Sequence, residues 1–244
     1  MLSALVPRGR VIAVTRYADD PGVSNVVGFY PASAYRIVQN TLERMLALRP
    51  DLVCVAEFSS ADFLAQIQDT GLPTHRYATP GGYADIRAGL LALGERVGEP
   101  ARARTLVATL DQRLEQLAQR LTSATRRPRV LYWTAGRAAG SGTTLGEMIE
   151  RAGARNAAAE AKVAGFTEIS AERVYAIDPD VLLRSTWDGD HPADHGLPPE
   201  LGSLRAVREH AVVELPSRVL STVSQYFVDG VEALARALHP ECFK

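Results

Sequence analysis

An α/β protein of two Rossmann-like lobes, joined by one long helix around a ligand cleft, is what this 244-residue sequence predicts. Three observations predict it. Short apolar runs alternate with amphipathic stretches, the signature of βαβ units. One long stretch near the middle of the chain carries a helical apolar stripe. And one unit is written twice: "LERMLALRPDLVCV" at 42–55 returns as "AERVYAIDPDVLLR" at 171–184. Glu43 matches Glu172, Arg44 matches Arg173, Ala47 matches Ala176, Pro50 matches Pro179 and Asp51 matches Asp180, always 129 positions apart.

The elements follow in order. "VIAVT" (11–15) is short and β-branched, a buried strand, and a polar loop "RYADDPG" follows it. "VSNVVGFYPAS" reads as loop, with Gly28, Pro31 and several aromatics. Residues 40–48 form a helix stopped by Pro50, because proline cannot continue the backbone ladder. "DLVCVAEF" is a continuous apolar run, as expected of a strand buried on both faces of a parallel sheet. A helix over 61–70 ends at Gly71, "LPTHRYA" is a further strand, and a helix over 83–97 closes at Gly98. Leu106, Leu110, Leu114, Leu117 and Leu121 then recur at steps of three and four, so about 22 residues make one helix some 33 Å long.

After that helix the pattern restarts. "RVLYWT" (129–134) echoes "RVIAVT" (10–15), and "TLGEMIERAGARN" is a helix with a stop at Gly153. The second Glu-Arg…Pro-Asp unit leads to a helix in "LGSLRAVRE", a strand in "AVVELP" and a last helix over 224–238. The expected domains are an N-terminal lobe (1–98), a connecting helix (99–126) and a C-terminal lobe (127–244).

Composition narrows the function. Hydrophobic residues make up 46% of the chain, enough for a packed core, and the net charge of −1 leaves no basic excess for nucleic acid. No apolar run reaches the ~18 residues that a membrane span needs. "MLSALVPRGR" has no basic start before a long apolar stretch, so no leader peptide is expected within this chain. The two cysteines form no framework, and Cys54 inside "LVCVAEF" reads as a small buried apolar residue.

Candidate functional residues sit after strands. Tyr17 follows the first strand, and Phe29, Tyr30 and Tyr35 lie in the next loop. Trp133, Arg137 and the "AAGSG" loop follow the first strand of the second lobe. Trp187 follows "DVLLRST", and Tyr226 with Phe227 opens the last helix. Aromatics are only 7% of the chain, so this concentration suits a flat or greasy ligand, although each ring alone also suits packing. Arg16, Arg137 and Arg184 offer bidentate charge-assisted bonds to ligand carboxylates. In "WDGDHPADHG" (187–196), His191 and His195 with Asp188, Asp190 and Asp194 have metal-ligand chemistry, but the loop has no fixed periodic geometry, and Pro192 with two glycines points to a solvated turn. Glu43 and Glu172 suit helix starts: Asn40 with Glu43 makes a capping box, and Ser170 caps the helix that Glu172 enters. An enzyme is not expected. "GRAAGSGTT" lacks the lysine of a phosphate loop and the dinucleotide spacing, and neither HExxH nor GxSxG occurs.

The pieces "RVIAVTRYADDP", "NTLERMLALRPDLVCVAEF", "GLPTHRY", the long helix, "RVLYWTAG", "GEMIERAGARN" and "ISAERVYAIDPDVLL" resemble, in this order, the substrate-binding proteins of bacterial ABC importers with a single helical backbone. The closest branch binds cobalamin, haem or ferric siderophores. The resemblance implies a monomer, periplasmic or lipid-anchored outside the inner membrane, without a cofactor of its own. It would capture a metal chelate and deliver it to a permease dimer with its ATPase, performing no chemistry. It also implies that Glu43 and Glu172, one exposed carboxylate per lobe, dock on arginines of the two permease subunits, a role compatible with capping. Ligand contacts would come from Tyr17, Tyr30, Trp133, Arg137, Trp187 and Tyr226. Tyr17 and Trp187 lead that set, because the resembled cobalamin binders carry aromatics there. A Tyr or His ligand to a haem iron is a further option. Family members begin with an extra strand and loop; Met1–Leu5 resembles the tail of the helix after them, so the first strand is expected to be missing here. The alternatives are a bare-metal binder of the same fold, for which His75 is the only first-lobe histidine, and a cytoplasmic enzyme or sensor.

Overall fold

The structure is a computed structural model and describes residues 1–38, 42–187 and 196–244. The chain divides into two compact units. Unit 1 comprises residues 1–80 and 84–108; unit 2 comprises 81–83 and 109–244.

Unit 1 holds α1 (Leu2–Leu5), β1 (Ala13–Thr15), β2 (Tyr35–Ile37), α2 (Leu42–Ala47), β3 (Val53–Ala56), α3 (Ala61–Asp69) and β4 (Thr74–Tyr77). It also holds nearly all of α4 (Tyr83–Arg96) and the start of α5 (Pro100–Leu121). Its strands form two parallel pairs, β1 with β2 and β3 with β4. β2 follows closely on the stretch "VSNVVGFYPAS" expected to be loop, and includes Tyr35, expected in that loop. A three-residue strand of mixed polarity carries too little periodicity to show in sequence. Around β3 the core is Met45, Val53, Val55, Phe63 and Ile67, closed by Ile37, Leu42, Leu64 and Leu72. Gly71 and Gly98 stop their helices at φ +70 and +75, the left-handed conformation that glycine adopts freely. The Asn40 capping box lies outside the described residues.

α5 runs over 22 residues, as the leucine spacing predicts. Ala103, Val107, Leu110, Leu114 and Leu117 are its buried stripe. The helix is shared: the chain passes from unit 1 to unit 2 between Ala108 and Thr109.

Unit 2 continues with β5 (Arg129–Thr134), β6 (Arg137–Ala139), α6 (Thr144–Arg151), β7 (Arg155–Asn156), α7 (Ala157–Glu160), β8 (Phe166–Glu168), α8 (Ala171–Ile177), β9 (Val181–Thr186), α9 (Arg205–Arg208), β10 (Val212–Pro216), α10 (Ser217–Leu220) and α11 (Phe227–Leu238). The sheet order is β10-β9-β5-β6-β8, with β7 on the amino end of β5. β10, β9, β5 and β7 run parallel, while β6 and β8 are antiparallel additions. Their three-residue runs, "RAA" and "FTE", contain no apolar alternation, so the sequence does not announce them. The helix expected in "LGSLRAVRE" is instead a 3-10 turn at Pro199–Leu201 followed by the single turn of α9.

One core group joins Leu131, Trp133, Ala157, Val174, Ile177, Leu182, Leu201 and Leu204. Leu145, Met148 and Ile149 of α6 and Phe227, Val231 and Leu234 of α11 are also buried. At Gly230 an added Cβ would come within 2.6 Å of Met148 Cε and 2.8 Å of the Val219 carbonyl, so glycine is what lets α11 approach this closely. Residues 81–83 close unit 2. The Tyr83 amide donates to Glu147 Oε2 at 2.8 Å and its hydroxyl to Asp111 at 2.8 Å. Its ring stacks on Phe227 with centroids 5.7 Å apart, and the Arg151 guanidinium lies 5.4 Å from the ring centre.

Candidate ligand-binding and docking residues

Some of the predicted residues lie just past parallel strands and others within them. In unit 1 the chain turns after β1 into a 3-10 segment, Arg16–Asp19. There Tyr17 is 57% exposed, with the Arg16 guanidinium 5.2 Å from its ring centre. Tyr30 is half-buried and meets Phe29 edge-on at 5.1 Å. A residue that sequence reading passed over organises these two loops. Arg36, in β2, pairs with Asp19 beside Tyr17 and donates to the carbonyls of Ala34 at 2.7 Å, Pro31 at 3.3 Å and Tyr30 at 3.5 Å. One guanidinium thus ties the Tyr17 turn to the Tyr30 loop.

Phe58 was also missed. It lies just past β3 and is 83% exposed. The signal was in the repeat: Phe58 stands 129 positions before Trp187, each at the end of the strand that opens with Pro-Asp.

His75, on β4, packs edge-on against Tyr77 with ring centres 4.7 Å apart. Burial, and after it the charge of Arg96, lowers its proton affinity, so the ring is neutral at pH 7. Burial likewise raises the Cys54 thiol and the Tyr77 hydroxyl above their ordinary ranges, so Cys54 is an unreactive packing thiol.

In unit 2, Trp133 departs from expectation. It is 6% exposed, belongs to the core group and donates from Nε1 to the Ile169 carbonyl at 3.4 Å. The placement follows from β5 itself, which is buried on both faces from Val130 to Thr134. Arg137, next along the hairpin, is exposed and donates to the Phe166 carbonyl at 3.2 Å. Trp187 is half-buried just after β9, and Tyr226 is half-buried at the start of α11. In the same unit the Tyr132 hydroxyl meets Ser185 Oγ at 3.0 Å, and the Ser185 amide donates to Thr134 Oγ1 at 3.0 Å. These buried bonds tie the ends of β5 and β9 together.

Arg184, expected to be available to a ligand, is only 6% exposed. It pairs with Glu214 at 2.7 Å and donates to the Gly196 carbonyl, which makes it a brace for the segment after β9. The aspartates and histidines of 188–195 lie outside the described residues. Among the described residues no three His, Cys, Asp or Glu side chains are grouped to hold a metal ion. Nor is any helix among them long and apolar enough to cross a membrane.

Glu43 and Glu172 occupy the first turns of α2 and α8, and both are exposed. The capping of α8 falls to Ser170, whose hydroxyl accepts from the Arg173 amide at 3.3 Å. Glu172 is therefore not needed as the acceptor there.

Comparison with known proteins agrees with this architecture. Residues 5–219 match the periplasmic binding protein family. The chain belongs to that family. It is 24% identical over 217 residues, 83% of its length, to the ABC transporter substrate-binding lipoprotein YvrC of Bacillus subtilis, of which it spans 66%. It is 26% identical over 172 residues, 66% of its length, to a cobalamin-binding protein of Halobacterium salinarum, of which it spans 47%. The chain thus spans about half to two thirds of the length of these curated relatives. A periplasmic heme-binding protein of Pseudomonas aeruginosa superposes with a TM-score of 0.79 at 26% identity, covering 98% of this chain and 88% of that one. The two-lobed α/β fold expected from the sequence is the fold of these proteins.

Proposed function

We propose that this chain is the extracytoplasmic solute-binding component of an ABC importer, and that its ligand is a metal chelate: haem, cobalamin or a ferric siderophore. The observation that carries the reading is the set of rings at strand ends. Tyr17, Phe58 and Trp187 stand just past β1, β3 and β9, where α/β folds present their ligand groups, with Tyr30 in the loop before β2 and Tyr226 at the start of α11. Large flat rings outside the core match the apolar faces of a porphyrin or corrin. Arg137 supplies a cation for a chelate's carboxylates. The names of the cobalamin- and heme-binding relatives support the same ligand class. Trp133 takes no part beyond packing. The chelate is cargo and the protein performs no reaction on it; Glu43 and Glu172 would dock the loaded protein on a permease dimer.

Absorbance titrations with haemin, cyanocobalamin and a panel of ferric siderophores test this. One of them is expected to give a saturable spectral change at micromolar concentration or below. Tyr17→Ala and Trp187→Ala should each weaken that binding about tenfold, the loss of a buried aromatic contact worth about 1.4 kcal/mol. Absence of saturable binding to every chelate, or equal affinity of both variants and the wild type, would overturn the reading.

A further inference from the structure

The repeat that carries Glu43 and Glu172 also carries a second matched feature. Three residues after each glutamate stands a large apolar side chain: Leu46 in α2 and Tyr175 in α8. Both face solvent, at 43% and 38% exposure. The residues between them in the repeat, Met45 and Val174, are buried at 8% and 0%. Each short helix thus turns that residue into its own unit, joined in α8 by Ile177, and leaves Glu and Leu, or Glu and Tyr, together on the outer face, since positions i and i+3 are neighbours on a helix.

Chance exposure of a leucine needs no explanation. Here the exposure is duplicated. Among the large apolar side chains exposed in the described residues, Leu46 and Tyr175 are the pair that fall at equivalent positions of the repeat. Among the described residues neither neighbouring carboxylate enters an ion pair or hydrogen bond, whereas nearby Arg173 is tied to the Ala161 carbonyl at 3.0 Å. An exposed carboxylate beside an exposed apolar side chain, once per unit, matches one kind of partner. That partner presents a cation next to an apolar contact, and presents it twice.

We propose that each docking surface is this pair, Glu43 with Leu46 and Glu172 with Tyr175, and that its occupant is one subunit of a two-fold permease. The proposal rests on the permease-docking reading given above. The carboxylate steers and orients the encounter; the apolar neighbour, once covered, excludes water from the ion pair and slows dissociation. The Tyr175 hydroxyl donates to the Glu200 carbonyl at 3.0 Å, which holds the ring in place, so the ring face is the contacting part.

The test is binding of the full chain to the permease–ATPase complex of the same organism, reconstituted in nanodiscs. Leu46→Ser with Tyr175→Ser should lower affinity about tenfold, mainly through faster dissociation, while thermal stability and chelate affinity stay at wild-type values. Glu43→Ala with Glu172→Ala is the reference for docking itself. If the glutamate pair weakens binding and the serine pair does not, the apolar half of the surface is refuted and carboxylate docking stands. If the glutamate pair has no effect, the docking reading fails and this inference fails with it. A photo-crosslinker carried at position 46 or 175 gives an independent readout in an otherwise native surface: capture of the permease supports the proposal, and no capture from either position overturns it.

Discussion

Gly82→Ala is the sharpest probe of how unit 2 is closed. Gly82 is buried, and a Cβ built there would stand 1.9 Å from Glu147 Oε2. That oxygen accepts the Tyr83 amide at 2.8 Å, while the other carboxylate oxygen takes the Arg151 Nε. Carbon and oxygen cannot share that space, so the Glu147 side chain must swing away, which a long flexible side chain can do. What is lost is a charge-assisted bond to a backbone amide, about 1.5–3 kcal/mol. Replacing glycine returns about 0.4–1 kcal/mol by restricting the unfolded chain. The net expectation is a loss of about 1–2 kcal/mol. For a unit of this size that lowers Tm by roughly 3–6 °C, which differential scanning calorimetry resolves. Gly82→Ala combined with Glu147→Ala should be no worse than Glu147→Ala alone, because the clash then has no partner. A Gly82→Ala protein as stable as the wild type, or more stable, would refute the reasoning.

Two further outcomes follow from unit 2. The Asp180 carboxyl is held below its ordinary range first by the Arg129 amide, which donates to it at 2.8 Å, and then by the Arg205 guanidinium at 3.0 Å. A depressed folded value means stability that is present above the unfolded carboxylate range, near pH 4, and lost as pH falls through the folded value. The stability gap between wild type and Asp180→Asn should therefore narrow below about pH 4, and a gap constant from neutral pH down to pH 3 would contradict it. Asn156 is 3% exposed, donates to the Ala139 carbonyl at 3.0 Å and caps α7 by accepting from the amides of Ala158 and Ala159. Asn156→Ala should cost about 2–4 kcal/mol in denaturant unfolding, and a loss under about 1 kcal/mol would show the cap to be dispensable.

The elements with strong periodicity were legible from the chain. The stripe of α5 and the apolar run of β3 needed only the 3.6-residue period and unbroken hydrophobicity. The glycine stop of α4 was equally plain. β2, β6 and β8 were not legible, because three residues of mixed polarity become a strand only when a neighbour supplies its hydrogen bonds. For the candidate site, proximity to strand ends separated little by itself. It selected Tyr17 and Trp187, which stand at the ends of their strands, but also Trp133 and Arg184, which lie within theirs. In "RVLYWT" the unbroken apolar run Val-Leu-Tyr-Trp marks a strand buried on both faces, and with it a buried tryptophan. In "VLLRST" an arginine in an apolar run signals a buried cation with a partner, and Glu214 on the adjacent strand is that partner. Phe58 could have been found by carrying the repeat eight residues further past Pro50.

The three residues 81–83 also set a constraint on assembly in time. Tyr83 leaves the ribosome long before its partners: Asp111 follows by 28 positions, Glu147 by 64, and Phe227 later still. Closing such a loop is an entropic cost met only after the later elements are in place. The Tyr83 contact is thus expected to form late in the folding of unit 2 and to break early in its unfolding. Interactions absent from the folding transition state govern how fast a protein comes apart, not how fast it forms. Gly82→Ala is therefore expected to speed the unfolding of unit 2 more than it slows its folding, which stopped-flow kinetics would check.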